Sequence, residues 1–412
     1  MSVKFKWETE FKETEIGEIP KDNSYYITAK GVVGLIPKDW NMKKIKNKFK
    51  VNTGKRISPQ DEGKYSLYCA NGFSGFSNKF LTDGEAIVTG RVGTLGQVFY
   101  VCGKIDISDN AFFITPKDKE AHLKFLYYSV KHVFKHIEEV LNVGTSQPLI
   151  KQSELKDFSI PFPDLNEQSC IATVLSWFDG LIENKKRQNE ILEKVAMAIF
   201  KSWFVDFEPF KDEEFVYNEE LGKEIPKEWE VKPIGEIFDL IKGKKCAVFE
   251  RPIENAVPYL LIENFKGGDI SYWTTERQPF VEELDIVLVA DGESSGKIFR
   301  YQRGIIGSTL LMLRQRGKKP DLRNYVYLYL KNAEDEIIEH RTGSAIPHLD
   351  KDFLKEYALI IPISHVLQLF HSLVEPLFQK IILNQKQIMV LRKIRDALLP
   401  KLVFGKLRVV EI

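Results

Sequence analysis

Three short stretches carry residue types that could do chemistry. "DGESSGK" at 291–297 has the composition of a loop that cradles phosphate. Such a loop needs four residues between its first glycine and Gly-Lys, followed by Ser or Thr. Here three residues separate Gly292 from Gly296, and Ile298 follows Lys297, so the pattern fails. His132 and His136 stand four apart, a spacing that puts two imidazoles on one helix face. No Glu follows His132 and no third ligand is evident, which leaves a solvated helix face. "DEGK" (61–64) holds the Glu-x-Lys of some nucleases but sits among turn residues without an upstream Asp partner. G-x-S-x-G is absent, and Cys69, Cys102, Cys170 and Cys246 form no C-x-x-C. Scattered cysteines suit a reducing cytoplasm and argue against a zinc site or a disulfide scaffold. The sequence therefore offers no catalytic residue and no metal site.

What remains is local charge. The formal net charge is only +1, so the whole chain points to no particular partner. "MKKIKNKFK" (42–50) nevertheless carries five lysines and no acid, and "RQRGKKPDLR" (314–323) five basic residues and one acid. Lysine and arginine near turns suit phosphate contacts, and arginine can also read guanine edges. Lys43, Lys44, Lys46, Lys55, Arg56, Asn71, Arg91, Lys244, Lys245, Arg251, Lys297, Arg300, Arg314 and Arg316 are the candidates for such contacts. A solubilising surface would carry the same runs, so charge alone does not decide.

The elements that must position these residues are written twice. "IPKDW" at 36–40 returns as "IPKEW" at 225–229. At that shift of 189, Ile45 falls on Ile234, Phe49 on Phe238, Gly54 on Gly243 and Lys55 on Lys244. "AIVTGRVGTLGQVF" (86–99) lies over "IVLVADGESSGKIF" (286–299), and "GTSQPLIKQSELKDF" (144–158) over "GSAIPHLDKDFLKEY" (343–357). A weaker echo, "IPKDN" at 19–23, precedes the first copy and lacks the Trp. A period near 200 is too long for a solenoid unit and long enough for a domain with its own core.

Within each copy, short β-branched or aromatic runs such as "EAIVTG", "AFFITP", "DIVLVA" and "STLLMLR" are bounded by turn residues. Helical text comes after each set, at 121–141 and 321–340. Each copy reads as α+β with a mixed or antiparallel sheet. Behind each copy the apolar spacing alternates between three and four. It runs through Ile171, Val174, Phe178, Leu181, Leu192, Val195 and Ile199, with Lys185 and Gln188 filling two polar turns. The second series is Leu367, Phe370, Val374, Leu377, Ile381, Asn384, Ile388, Leu391, Arg395 and Leu398. That spacing holds one seam against a partner helix. Helices over 166–207 and 365–403, pairing antiparallel, would be rods of roughly 60 Å. A buried Asn384 would set their register at a cost in stability, and Pro376 would kink the second rod or start it afresh. No run of 18 apolar residues suggests a membrane span.

This order of parts resembles the DNA-specificity subunit of type I restriction–modification enzymes. The residues that carry the likeness are the opening "IPKDW…I…F…GK" and its second copy, the turns "GTSQP" and "GSAIP", the "IP" before each helix, "LIENKKRQNEILEK" and "LLPKLVFGKLRV". The likeness runs from about residue 10 to the end. It implies an N-terminal extension (1–35), target-recognition domains at 36–165 and 211–364, and helical spacers at 166–210 and 365–412. It further implies globular domains related by a rotation near 180°. Each domain would read one half of a bipartite, asymmetric double-stranded DNA target, with divergent segments 57–84 and 246–283 reading different bases. Two modification (methyltransferase) subunits would dock, and restriction (motor–nuclease) subunits would join. S-adenosylmethionine, ATP and magnesium would sit in those partners, with no cofactor in this chain. An architectural adaptor without a DNA role, and an enzyme with an undetected site, stay open at this point.

Overall fold

The computed structural model describes residues 3–6, 9–13, 26–28, 30–92, 95–119, 121–134, 149–317, 320–343 and 346–411. The echo at 19–23, the turn at 144–148, His136 and Ser344 lie outside the described residues. The chain folds as two compact units. Unit 1 comprises residues 1–182 and 390–412, and unit 2 comprises residues 183–389.

The main sheet of unit 1 has the order Val98–Cys102, Glu85–Gly90, Ala111–Pro116, Phe49–Thr53, every pair antiparallel. That of unit 2 joins Phe238–Lys242, Leu310–Gln315, Ile286–Val289 and Ile298–Phe299 in the same connectivity. The duplication read from the text is thus a duplication of topology. One face of each sheet supports a large apolar core. In unit 1 it gathers Val51, Ile87, Ile114, Phe125 and Leu126, and in unit 2 Phe238, Ile286, Leu313, Tyr325 and Val326. A smaller core lies under the opposite face of each. The helical text gives Leu123–Phe134 in unit 1, and Arg323–Asn332 and Glu334–Glu339 in unit 2.

The repeated phrase is one device built twice. Pro37 O accepts from Trp40 N at 3.0 Å, and Pro226 O accepts from Trp229 N at the same distance. This i→i+3 turn swings each indole into its core, where Trp40 and Trp229 are buried. Lys38 pairs with Glu10 across the strand pair Phe11–Glu13 and Leu35–Pro37, and Lys227 pairs with Glu214 across its counterpart.

Two 40-residue helices, Leu165–Phe204 and Ser364–Val403, dominate the chain. Within unit 1, Leu175 and Phe178 of the first share a core with Leu398, Leu399 and Leu402 of the second. Within unit 2, Ala196 and Phe200 share a core with Phe370, Val374 and Phe378. Rising numbers meet falling ones, so the helices pack antiparallel. Arg395 Nη1 donates to Asp179 Oδ1 at 2.6 Å in unit 1. In unit 2, Asn384 Nδ2 donates to Asn189 Oδ1 at 2.8 Å.

The second helix buries Val366, Phe378, Ile382 and Leu399 beside residues of the predicted series. Leu367, Phe370, Val374, Ile381, Asn384 and Ile388 are buried, and Leu377, Leu391, Arg395 and Leu398 half-buried. The first helix needs correction. Ile171, Val174 and Phe178 face inward, and Leu192 packs on the core of unit 2. Leu181 and Val195, however, are 49% and 43% exposed. Their neighbours Ile182 and Ala196 are buried instead. Val174 and Leu175 are both buried, and from Phe178 onward the inward row is Ile182, Lys185, Asn189, Leu192 and Ala196, one residue later than expected at every second step. Leu181 and Val195 join Trp177 and Ile191 on an outward apolar stripe.

Pro376 does not end the second helix, which is continuous through it. The ring stands on the exposed face, and so does Ser372, whose carbonyl loses its donor to water rather than to the core. That helix is also long and apolar enough, by composition, to cross a membrane. Its apolar positions include the buried seam just described, as in the core helix of a globular fold.

Asn384 is fully buried, and its Oδ1 accepts no hydrogen bond. A half-satisfied buried amide costs about 1–3 kcal/mol. Asn384→Leu is therefore expected to raise stability by about 1 kcal/mol in chemical denaturation. A loss of stability would show that the amide contributes more than register.

Candidate nucleic-acid interface

The structure sorts the basic candidates by which end of a sheet they occupy. In unit 1, segment 107–111 is the organising centre. Gly54 N donates to Ala111 O (3.1 Å), Lys55 N to Ile107 O (2.9 Å) and Arg91 N to Asn110 O (2.8 Å). Ala70 N donates to Asn110 Oδ1 (3.1 Å), which brings the hairpin tip carrying Asn71 to the same end. Lys55, Arg56, Asn71 and Arg91 therefore converge from three parts of the chain. Lys55, Arg56 and Asn71 are exposed. Arg91 is half-buried, its Nη1 donating to Asp109 O at 3.1 Å.

Unit 2 repeats this around 306–310. Gly243 N donates to Leu310 O (2.8 Å), Lys244 N to Ile306 O (3.2 Å) and Ala290 N to Thr309 O (2.8 Å). Lys244 and Lys245 are exposed there, and so are Lys297 and Arg251 on adjoining loops. The glycine before each lysine is required by space. A Cβ at Gly54 would lie 2.1 Å from Ser108 O, and one at Gly243 2.1 Å from Gly307 O. Backbone approaches backbone here, and only glycine lets the strand end so close.

The remaining candidates sit elsewhere. Lys43, Lys44 and Lys46 precede strand Phe49–Thr53, at the opposite end of the sheet from Lys55. Lys46 and Lys44 both reach Asp157 (2.7 and 3.4 Å), and their hydrogen bonds hold that carboxyl below its usual range. Lys43 lies over the Phe162 ring. The lysine run is thus partly spent inside the unit. Arg314 and Arg316 close the far end of strand Leu310–Gln315. Arg316 pairs with Asp239 at 2.7 Å, and Arg314 donates to Phe280 O at 2.6 Å.

Arg300 is corrected outright. It is 3% exposed, donates to Asn324 Oδ1 at 3.0 Å and to Leu284 O at 2.5 Å, and lies over the Tyr327 and Phe378 rings. Burial lowers the pKa of its guanidinium. No phosphate or base can reach it without unpacking unit 2, so Arg300 is a core residue. Among the described residues, no group of three His, Cys, Asp or Glu could hold a metal.

Known proteins resemble this chain in sequence and fold. Residues 37–194 and 226–393 each match the type I restriction modification DNA specificity domain. The MjaIX specificity subunit of Methanocaldococcus jannaschii is 38% identical over all of this chain and 99% of its own. A putative type I specificity subunit of Mycoplasma genitalium is 27% identical over 88% of this chain and 94% of its own. The crystal structure of a type I restriction-modification S subunit from M. genitalium superposes with a TM-score of 0.55 at 26% identity, covering 88% of this chain and 96% of that one. Two tandem specificity domains with long paired helices define the class of the fold. The chain belongs to the type I restriction–modification DNA specificity family.

Proposed function

We propose that this chain is the sequence-specific DNA-binding subunit of a type I restriction–modification complex, each unit reading one half of a bipartite, asymmetric double-stranded target. The observation that carries this is the paired Gly-Lys corner. Exposed cations stand at the same end of the same sheet in both units, on a backbone that tolerates only glycine. Charge so placed binds phosphate, and the divergent loops beside it supply different edges to the bases. The chain itself performs no catalysis in this reading and works in the cytoplasm. Two modification subunits and the restriction subunits supply the chemistry. The paired helices fix the spacing between the half-sites.

The test replaces residues 36–160 with the equivalent domain of a relative and maps modified bases in DNA exposed to the assembled complex. One half of the target is expected to change and the other to stay. A swap that altered both halves would defeat the modular reading. Binding that did not weaken as salt rose would favour an adaptor without a DNA role.

A further inference from the structure

Beside the Gly-Lys corner of unit 2 lies an open cleft of about 420 Å³, lined by Lys244, Lys245, Thr275, Glu276, Arg277 and Gln278 among others. Glu276 is the one acid of that lining, against three cations. No ion pair engages Lys244, Lys245 or Arg277 among the described residues, whereas Arg314, Arg316 and Lys242 are all paired. The floor is fixed. Tyr259 Oη donates to Lys244 O at 2.9 Å, and Thr274, whose Oγ1 accepts from Glu276 N, is fully buried. The rim residues 275–278 are exposed. Unpaired charge held on a rigid base and open to solvent is arranged for a polyanion.

Register shows what occupies the same place in unit 1. Lys55 N meets Ile107 O as Lys244 N meets Ile306 O, so Ile107 and Ile306 are equivalent. Two residues earlier, Ile105 bridges Thr82 and Gly304 bridges Val281. Counting back from Thr82 and Val281, Asn78-Lys79 occupies the position of Arg277-Gln278. The corner doublets are alike in charge, Lys55-Arg56 and Lys244-Lys245. The facing doublets differ, although both consist of side chains able to donate hydrogen bonds.

We infer that recognition is divided in two parts in each unit: the corner cations hold a phosphate whatever the sequence, and Arg277 and Gln278 in unit 2, like Asn78 and Lys79 in unit 1, select bases. Arginine is suited to paired acceptors on guanine and glutamine to the donor–acceptor edge of adenine. The inference rests on the DNA-reading role proposed above.

The experiment uses the full chain assembled with its modification subunits. Modified bases in genomic DNA first define the target of the unaltered complex. Arg277→Asn with Gln278→Lys, which copies the unit 1 doublet, is expected to change bases in one half-site only. Its preference for the original bases in that half should fall roughly 5- to 150-fold. Lys244→Ala is expected to weaken binding to cognate and scrambled duplexes by similar factors, with the salt slope reduced by about 1. An unaltered complex that modifies no specific sequence would remove the DNA-reading role itself. A specific unaltered complex whose doublet variant keeps both half-sites would overturn only the inference, as would Lys244→Ala changing the bases read. Circular dichroism of each variant separates these results from a failure to fold.

Discussion

Replacing Glu167 with Ala is expected to destabilise unit 1 by about 3–5 kcal/mol. The carboxylate is 4% exposed, at the start of the first long helix. It accepts the Trp40 indole N–H at 2.9 Å and the Arg408 Nη2 at 2.6 Å, with a second, shorter contact to Arg408 Nε. Arg408 also forks onto Asp39 at 2.8 and 3.1 Å. Burial alone would lower the Arg408 pKa, and the two carboxylates more than reverse that, holding it above its ordinary value. One carboxylate thus ties the opening motif, the helix and the C-terminal tail of the chain together.

Removing it leaves a largely buried guanidinium with Asp39 as its one remaining acid and an indole donor without its acceptor, which costs more than the pair contributes when intact. Against a total stability of about 5–15 kcal/mol, that loss is a large fraction. Among the described residues, unit 2 has no such clasp. Val366 stands at the place of Glu167, Trp229 Nε1 has no acceptor, and Phe204, Phe207 and Phe210 surround the Trp229 ring at 5.7, 5.6 and 5.0 Å. The loss should therefore appear in hydrogen exchange of unit 1 amides while those of unit 2 keep their protection. Equal protection in both units after Glu167→Ala would show that the clasp contributes little.

The second large effect concerns the helices as a ruler. Two residues inserted between Glu190 and Ile191 turn the N-terminal part of the helix by about 200° relative to its C-terminal part. Asn189 then leaves Asn384, and the pairing that joins both helices in unit 2 breaks. Specific modification is expected to disappear. Four inserted residues rotate the two parts by only about 40° and add about 6 Å. With about 3.4 Å per base pair, the preferred target should gain one or two unread base pairs and keep its outer bases. Mapping of modified bases for both variants checks this. A two-residue insertion that modified the original target would mean that the helix pairing does not set the spacing.

Much of this architecture was legible because duplication and periodicity are properties of the text. "IPKDW" and "IPKEW" recur since each builds the same turn and buries the same indole. Neither long helix could be read residue by residue. In the second, Leu377 and Phe378 are adjacent and both apolar, and Phe378 is the one fully buried. The first is no different. Leu181 and Ile182 are adjacent and both apolar, and Val195 adjoins Ala196, so spacing alone cannot say which faces the partner helix. The outward stripe made the wrong choice look regular.

Charge was the least legible layer. Lys44 and Lys46 read as free cations because Asp157 lies more than a hundred residues away. Arg300 read as a surface residue because Tyr327 and Phe378 come to it only in the fold. Arg277 and Gln278 fell inside the segment 246–283 expected to read bases but were not singled out within it. Nothing in their text resembles Asn78 and Lys79, and only strand register places the two doublets alike. The Glu167 clasp escaped for the same reason, its two partners, Trp40 and Arg408, coming from opposite ends of the sequence.

One measurement bears most directly on two-part recognition: single-molecule mapping of modified bases in DNA treated with the complex assembled on the unaltered chain. The expected target is asymmetric, in two specific parts separated by bases of any identity, with one modified base in each part. A continuous target, or a symmetric one with identical halves, would contradict it.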